Sequence, residues 1–588
     1  MNLPDANAAV IVPAAQAGYF GAADRPRFGW LHRPASATCD LALVIVPPFG
    51  FEAVCALRSL RHLAQFAAAA GVLAVRFDLD GCGDSAGDDL DPDRLEQWLL
   101  SIDDACALAR GAGARRIVLA GVRLGASLAT LAALRRDDVA AVIAIAAVPK
   151  GKALLREGRV LQMALALTPP PSPAIDDVQE LVGFALTGET RRSIEAIDLL
   201  ALPRAPAPRM LLIDRDDLAP NDAWASHLLA AGASVEQQRL PGYVEMMLDP
   251  HRTVIPVAII EAAIAFAVAR ATEPAFGDAA PRTLTLRSRA EMVADGATIR
   301  EDAVRLDDFQ WGIATRPASP DKRAVLLLNA GAVGRIGPNR LYVALARTLA
   351  ARGHLVLRVD LSGIGDSATR ARAIENTVYG SHVIDDIASS VAWLRQHGTG
   401  PIAAVGLCSG GYHALKAALA GLAIGSVVAI NPLTFHYAPG MALDFAAFRV
   451  AADAARYQRA LSSGASWRKL VRGQVDLTRV ARIVWLRAIG KIARPLKELQ
   501  RHLHLPLTND LGSELAKLAR RDVNVRFVFA ASDPGRGLLF EEGGSVVPRL
   551  LASGMLGVTM IDGPDHTFTP RWSHAVLLDA LVTAIDAG

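Results

Sequence analysis

Short runs of aliphatic and β-branched residues alternate along the chain with longer stretches whose apolar positions recur every three or four residues. "LALVIVPP" from Leu41 reads as a buried strand closed by prolines. "ALRSLRHLAQFAAAAG" has helical spacing and stops at Gly71. "VLAVRFD" from Val72 is a second strand, and "LEQWLLSIDDACALARGAG" an amphipathic helix closed by glycines. "RIVLAG" from Arg116 is a third strand, followed by the helix "ASLATLAALRR". Strictly alternating strands and helices predict an α/β fold, a mainly parallel sheet with helices on both faces. In such sheets chemistry gathers at the carboxyl ends of the strands.

The same series is written a second time. "FGWLHRPAS" from Phe28 matches "WGIATRPAS" from Trp311, and "LALVIVPPFG" matches "AVLLLNAGAV" from Ala324. "VLAVRFDLDGCGDS" matches "HLVLRVDLSGIGDS" from His354, and "RIVLAGVRLG" matches "PIAAVGLCSG" from Pro401. Asp78 stands 45 residues before Arg123, and Asp360 stands 48 before Cys408. A period this long marks a duplicated domain. The halves are expected at 25–272 and 300–588, with the polar, turn-rich 273–299 as linker. With 588 residues the chain exceeds one ordinary core, which agrees.

The last matched block carries candidate chemistry. A sharp strand-to-helix turn needs small residues two before and two after its tip. Gly406-Leu407-Cys408-Ser409-Gly410 meets that with Cys408 at the tip; with Ser409 at the tip, Leu407 would occupy a small-residue place. Downstream, each just after an apolar strand, come Asp533 in "VRFVFAASDPG" and His566 in "TMIDGPDHTFTP". Glu541 and Glu542 are nearby alternatives for the acid. A histidine can take the thiol proton or stabilise a thiolate, and a carboxylate can fix its tautomer. An oxyanion hole needs backbone N–H groups; the candidates are Ser409 and the loop "LNAGAVGRIGPNRLY", at Ala330 or Gly331. Asp360 and Asp366 of "DLSGIGDS" are expected to make backbone hydrogen bonds that shape the fold.

These residues resemble the α/β-hydrolase superfamily in both halves: "DLSGIGDS", "VGLCSGG" and "GPDHTF" stand in its order, nucleophile, Asp, His. More narrowly, "VIVPPFGFEAVCALRSLRHLA", "GVRLGASLA" and "LPGYVEMMLDPHRTVIP" resemble an arginine-elbow family, and "GLCSGG" a cysteine-elbow family, that accompany exosortase and exopolysaccharide gene clusters. Cysteine elbows also occur in dienelactone hydrolases and polyhydroxyalkanoate synthases. The resemblance implies acyl chemistry through an acyl-cysteine: ester or thioester hydrolysis, or transfer of the acyl group to an alcohol or amine, as in polysaccharide assembly. The reading from a different class is a non-catalytic scaffold that binds an anionic ligand.

The first half carries Arg123 at the elbow tip, and a guanidinium is always protonated and cannot attack a carbonyl. Glu245 stands opposite His566, with His251 a few residues on, and Asp216 and Asp217 are the acid equivalents. A non-catalytic half is expected, with Arg123 either a carboxylate or phosphate site at a helix N-terminus or paired with Asp216 or Asp217. The second half is longer through a segment at about 437–505, where a helical lid is expected. From Ser466 to Arg501 it holds ten Lys/Arg against Asp476 and Glu498, a net +8, with Trp467 and Trp485 interleaved. Such a face suits an acyl-CoA, an acyl carrier protein, an acidic glycan or a membrane surface.

Composition narrows the rest. The chain is 52% hydrophobic and 21% charged with a formal charge of +3, and no nucleic-acid reader motif accompanies it. Five cysteines without CxxC spacing argue against a disulfide framework or a zinc site, so no metal or cofactor is expected. The N-terminus lacks the layout of a signal peptide, and no apolar run approaches a spanning length, so a cytoplasmic protein is expected.

Overall fold

The computed structural model describes residues 15–35, 40–165, 177–270, 282–319, 322–438, 441, 500–501 and 507–587. Two compact units are present: Met1–Ile402 with Phe568–Leu578, and Ala403–Thr567 with Asp579–Gly588.

The first unit opens with β1 (Gln16–Phe20), β2 (Arg27–His32), β3 (Leu41–Val46), β4 (Leu73–Phe77), β5 (Arg116–Val122) and β6 (Val139–Ile145). A hairpin, β7 (Val178–Leu181) and β8 (Phe184–Thr187), precedes β9 (Arg209–Arg215) and β10 (Ser234–Leu240). The sheet order is β1-β2-β4-β3-β5-β6-β9-β10. β2 is antiparallel to β1 and β4, and the strands from β4 to β10 run parallel. Alternate residues of a strand face opposite sides, and β3 shows the result. Ala42, Val44 and Val46 join one core with Trp98 and Leu128 of helices Arg94–Gly111 and Leu124–Leu134. Leu41, Leu43 and Ile45 join another with Leu60 and Ile260 of helices Phe51–Ala69 and Val257–Val268. Because both faces are covered, the central strands are apolar throughout.

A second strand series begins in the same unit with β11 (Arg289–Ala294), β12 (Ala297–Arg305), β13 (Trp311–Pro317), β14 (Arg323–Leu328) and β15 (Leu355–Asp360), ordered β11-β12-β13-β15-β14. Part of the segment read as linker is therefore strand: β11 and β12 form a hairpin over Asp295-Gly296, both with positive φ. Residues 271–281 lie outside the described residues.

The repeated motif around Asp78 and Asp360 is built alike in both series. The Asp78 carboxylate accepts from the Asp84 N–H (2.8 Å) and Asp360 from the Asp366 N–H (3.0 Å). Ser85 and Ser367 donate to the carbonyls of Asp78 and Asp360 (2.8 and 2.7 Å). The two motifs then exchange charges. Arg76 donates to Asp366 (2.8 Å), Arg358 pairs with Asp84, and Arg335 bridges Asp84 (2.7 Å), Asp360 (2.8 Å) and Asp366 (2.8 Å). Arg of each motif meets Asp of the other, the reciprocity of a two-fold contact. So Asp366 does more than the backbone bonding expected of it: it is an ion-pair partner. Burial, together with the neighbouring Asp84 carboxylate, pushes the Asp78 carboxyl up to about 7.

The second unit contains the end of β16 (Thr399–Leu407), then β17 (Ile424–Ile430), β18 (Asn524–Ala530) and β19 (Leu556–Ile561), in that order, the last three mutually parallel. Its helices include Ser409–Leu419, Leu511–Arg520, Gly535–Gly543 and Val546–Ala552. Among the described residues no helix is long and apolar enough to cross a membrane.

Candidate active site

β16 ends at Leu407 and helix Ser409–Leu419 begins two residues later, so Cys408 alone makes the turn. Its backbone sits at φ 57°, ψ −117°, a conformation that is costly for any residue with a Cβ. The turn persists because its surroundings hold it: the Cys408 N–H donates to the Ile430 carbonyl at 2.8 Å. It also needs Gly406, where a Cβ would lie 2.2 Å from the Gly410 carbonyl carbon. Ser409 is the first residue of the helix, without positive φ, and is buried. Cys408 itself is partly exposed.

His566 follows β19 and Asp533 follows β18. His566 Nδ1 lies 2.6 Å from Asp533 Oδ2, with both side chains buried. Asp533 is fixed in turn, since its Oδ1 accepts from the Gly535 N–H at 2.8 Å. Cys408 acts on the same ring electrostatically. Burial alone would push the imidazole pKa down; the Cys408 sulfur and the Asp533 carboxylate outweigh it and raise it to about 10. Glu541 and Glu542 belong to helix Gly535–Gly543, and Glu542 faces His436 at 3.4 Å.

Asn431 is a site residue that sequence reasoning missed. It sits just past β17 at φ 43°, donates to the His566 carbonyl (2.7 Å) and accepts from the Ala530 N–H (2.9 Å). One side chain thus ties the β17 and β18 ends to the histidine loop. The "AINP" turn, an Asn at a strand end before Pro, was the available signal. Ala330 and Gly331 lie in the loop after β14 of the first unit; Ala330 is buried and Gly331 has φ +60°.

Arg123 occupies the same turn in the first strand series, at φ 55°, ψ −119°, and its N–H donates to the Ile145 carbonyl at 3.0 Å. Its partners differ from those expected. The guanidinium pairs with Glu52 (2.8 Å) and Glu157 and lies over the Tyr243 ring. Two carboxylates offset its charge. Asp217 pairs with Arg215 at 2.6 Å, and Asp216 is exposed. Glu245 and His251 are exposed as well. Sequence could not place Glu52 or Glu157, because both reach Arg123 only through folding of separate helices.

The basic segment is almost wholly outside the described residues, and the lid reading with it. Arg501 is described: it pairs with Asp510 at 2.6 Å and donates to the Glu542 carbonyl at 2.8 Å. Among the described residues no group of three or more His, Cys, Asp or Glu is placed to hold a metal ion.

Neither a protein-family model nor a curated protein matches the sequence. Solved structures do, and several of them are named as hydrolases. Est1E from Butyrivibrio proteoclasticus, solved with ferulic acid bound, is 20% identical over 41% of this chain and 94% of that one, with a TM-score of 0.32. The α/β-hydrolase domain-containing protein 10 from mouse is 16% identical over 43% and 96% (TM-score 0.28). A dienelactone hydrolase from Anabaena variabilis is 12% identical over 51% and 98% (TM-score 0.28). The fold is α/β, as this chain's own strand order and parallel pairing show; likenesses this low add nothing on its chemistry.

Proposed function

We propose that the chain hydrolyses an ester or thioester through an acyl-cysteine on Cys408, with His566 and Asp533 as its partners. The observation that carries this is the Asp533–His566 hydrogen bond at 2.6 Å beside a cysteine held in the strained elbow conformation. His566 can take the thiol proton of Cys408, and the Asp533 carboxylate bonded to its Nδ1 stabilises the imidazolium so formed. In this reading the thiolate attacks the acyl carbonyl and the imidazolium gives its proton to the departing thiolate or alkoxide. The neutral ring then takes a proton from water, whose oxygen attacks the acyl carbon. Cys408 leaves as thiolate, with the imidazolium restored. Asp533 fixes the tautomer and orientation of the ring throughout. The N–H of Ser409, next after the nucleophile, is one oxyanion donor.

The alternative outcome of the same intermediate is transfer to an alcohol or amine, and an acyl-CoA, acyl carrier protein or acidic glycan at the basic segment remains part of the proposal. The first strand series, with Arg123 paired to two glutamates, is proposed to be non-catalytic. The test is intact mass after mixing the protein with acyl thioesters, with Cys408→Ala as control. An adduct at Cys408 that decays in water supports hydrolysis, and decay that needs an added acceptor supports transfer. Absence of any adduct from every donor would remove the reading and favour an anion-binding scaffold.

A further inference from the structure

Within the first unit a cavity of about 90 Å³ lies where β2, the ends of β3 and β4 and helix Phe51–Ala69 meet the loop after β14. Its walls are mostly apolar, with Trp30, Val54, Leu57, Phe77 and Phe184 among them. At about 30 Å³ for each water-sized group, it has room for a molecule of about three to five non-hydrogen atoms. An apolar lining with a few placed polar groups is the pattern of a small-molecule site. The polar groups here are the carboxylates of Asp78, Asp84 and Asp366 and the guanidiniums of Arg76, Arg335 and Arg340.

Five of these six are compensated. Arg76 donates to Asp366 and to His32 Nε2 (3.2 Å), and Arg335 spans Asp84, Asp360 and Asp366. Arg340 donates to four carbonyls of the turn at Gly81–Gly87: Gly83 (2.9 Å), Gly81 (3.1 Å), Gly87 (2.7 Å) and Ser85 (2.5 Å). Asp84 meets Arg335 and Arg358, and Asp366 meets Arg76 and Arg335. Asp78 is the exception. Its Oδ2 accepts from the Asp84 N–H, and among the described residues no side chain bonds it. Its counterpart Asp360 is served on both oxygens, by Asn329 Nδ2 (3.1 Å), the Arg335 N–H (2.6 Å) and the Arg335 guanidinium (2.8 Å). In the matched strand Val46 stands where the second series has Asn329, so the first series offers no amide there. A carboxylate on an apolar cavity without a partner is costly. The cations of the wall are already taken, so the missing complement is a positive charge and not a negative one.

We propose that this cavity binds a short aliphatic primary ammonium, whose charge pairs with Asp78 and whose chain lies against Leu57, Phe77 and Phe184. The first strand series then carries a ligand site of its own, independent of any reaction at Cys408.

The test uses the full chain and n-propylamine, with n-propanol and propionate as its neutral and anionic counterparts, each titrated at pH 8 and followed by saturation-transfer NMR. The amine is expected to bind at least about tenfold more tightly than either counterpart. With the Asp78 carboxyl pushed up to about 7 by burial and by the Asp84 carboxylate, amine binding should weaken about tenfold from pH 8 to pH 6, as that carboxyl takes up its proton. The charged groups that face Asp78, which are Asp84, Asp366 and Arg335, are ion-paired among themselves. Asp78→Asn keeps an acceptor for the Asp84 N–H and should abolish the preference for the amine. Ala53→Leu adds bulk to the cavity wall from helix Phe51–Ala69 and should weaken amine binding at least about tenfold. Equal affinity for amine and alcohol, tighter binding of propionate, or a preference that survives Asp78→Asn would each overturn the proposal. Binding of none of the three would do so too, since the cavity would then hold water alone. Should Asp78→Asn fail to fold, Ala53→Leu decides: unchanged amine binding in that variant would put the site elsewhere.

Discussion

Arg358→Met removes one cation from the centre of the charge exchange and leaves its partners in place. Arg358, Asp84 and Glu301 are all fully buried. Without the guanidinium, Asp84 keeps only Arg335 as an ionic partner, and Glu301 keeps Arg347 (3.0 Å), Tyr19 (3.0 Å) and Thr315 (3.1 Å). Methionine is close in length and apolar, so the loss is one of charge compensation more than of packing. Breaking a buried pair by deleting one partner costs about 3–5 kcal/mol. The unit that contains it has about 400 residues, and at about 2.1 cal/mol/K per residue its unfolding entropy is about 0.85 kcal/mol/K. The expected fall in Tm is therefore about 4–6 °C, read by differential scanning calorimetry. Arg358→Met with Asp84→Asn should recover part of it, since one uncompensated charge is then gone. Arg76→Met, its counterpart against Asp366, should lower Tm by a similar amount. A fall below about 1 °C at Arg358 would refute the reasoning, because it would mean the two carboxylates need no cation there.

Asp533→Asn should lower turnover by about 10⁴-fold, the cost of a wrongly held imidazole tautomer, measured as steady-state thioester hydrolysis; a loss under tenfold would contradict it. Gly406→Ala forces a Cβ to within 2.2 Å of the Gly410 backbone, so the elbow must shift, and Cys408 acylation should fall by at least about 100-fold. Arg123→Leu should leave the acylation rate within about twofold, since among the described residues its guanidinium meets Glu52, Glu157 and the Tyr243 ring; a large drop would give the first series a direct part in the reaction. The imidazole of His566 is raised from about 6.5 unfolded to about 10 folded. Its contribution to stability is thus complete below pH 6.5 and is lost as pH rises through about 10. The Tm advantage of the unaltered chain over His566→Gln should shrink across that window, and a constant difference would contradict the shift.

Much of this was legible in one sequence because it is local. Strand and helix follow from the spacing of apolar residues, and the elbow tip follows from two glycines at fixed distances around Cys408. The order Cys408, Asp533, His566, each just past an apolar strand, needed only the rule that parallel sheets gather chemistry at strand ends. The hairpin at Asp295-Gly296 is equally local, since Asp-Gly between alternating residues is a hairpin signal, and it falls inside the expected linker. What could not be read was partner choice over long separations. Arg123 pairs with Glu52 and Glu157 and not with Asp216 and Asp217, the acid equivalents of the repeat. Asn431 holds the histidine loop from 135 residues away.

By itself the sequence determined the alternating elements, the repeated series, the elbow and the candidate nucleophile, acid and histidine, because each is set by steric and periodic rules within a few residues. Only the tertiary structure decided that the repeated Arg and Asp motifs exchange partners, that Arg340 reaches four carbonyls of the other series, and that His566 bonds Asp533. Those are matters of which buried charge meets which. A charge in low dielectric takes whatever compensation the packing brings within reach, and sequence distance does not encode that reach.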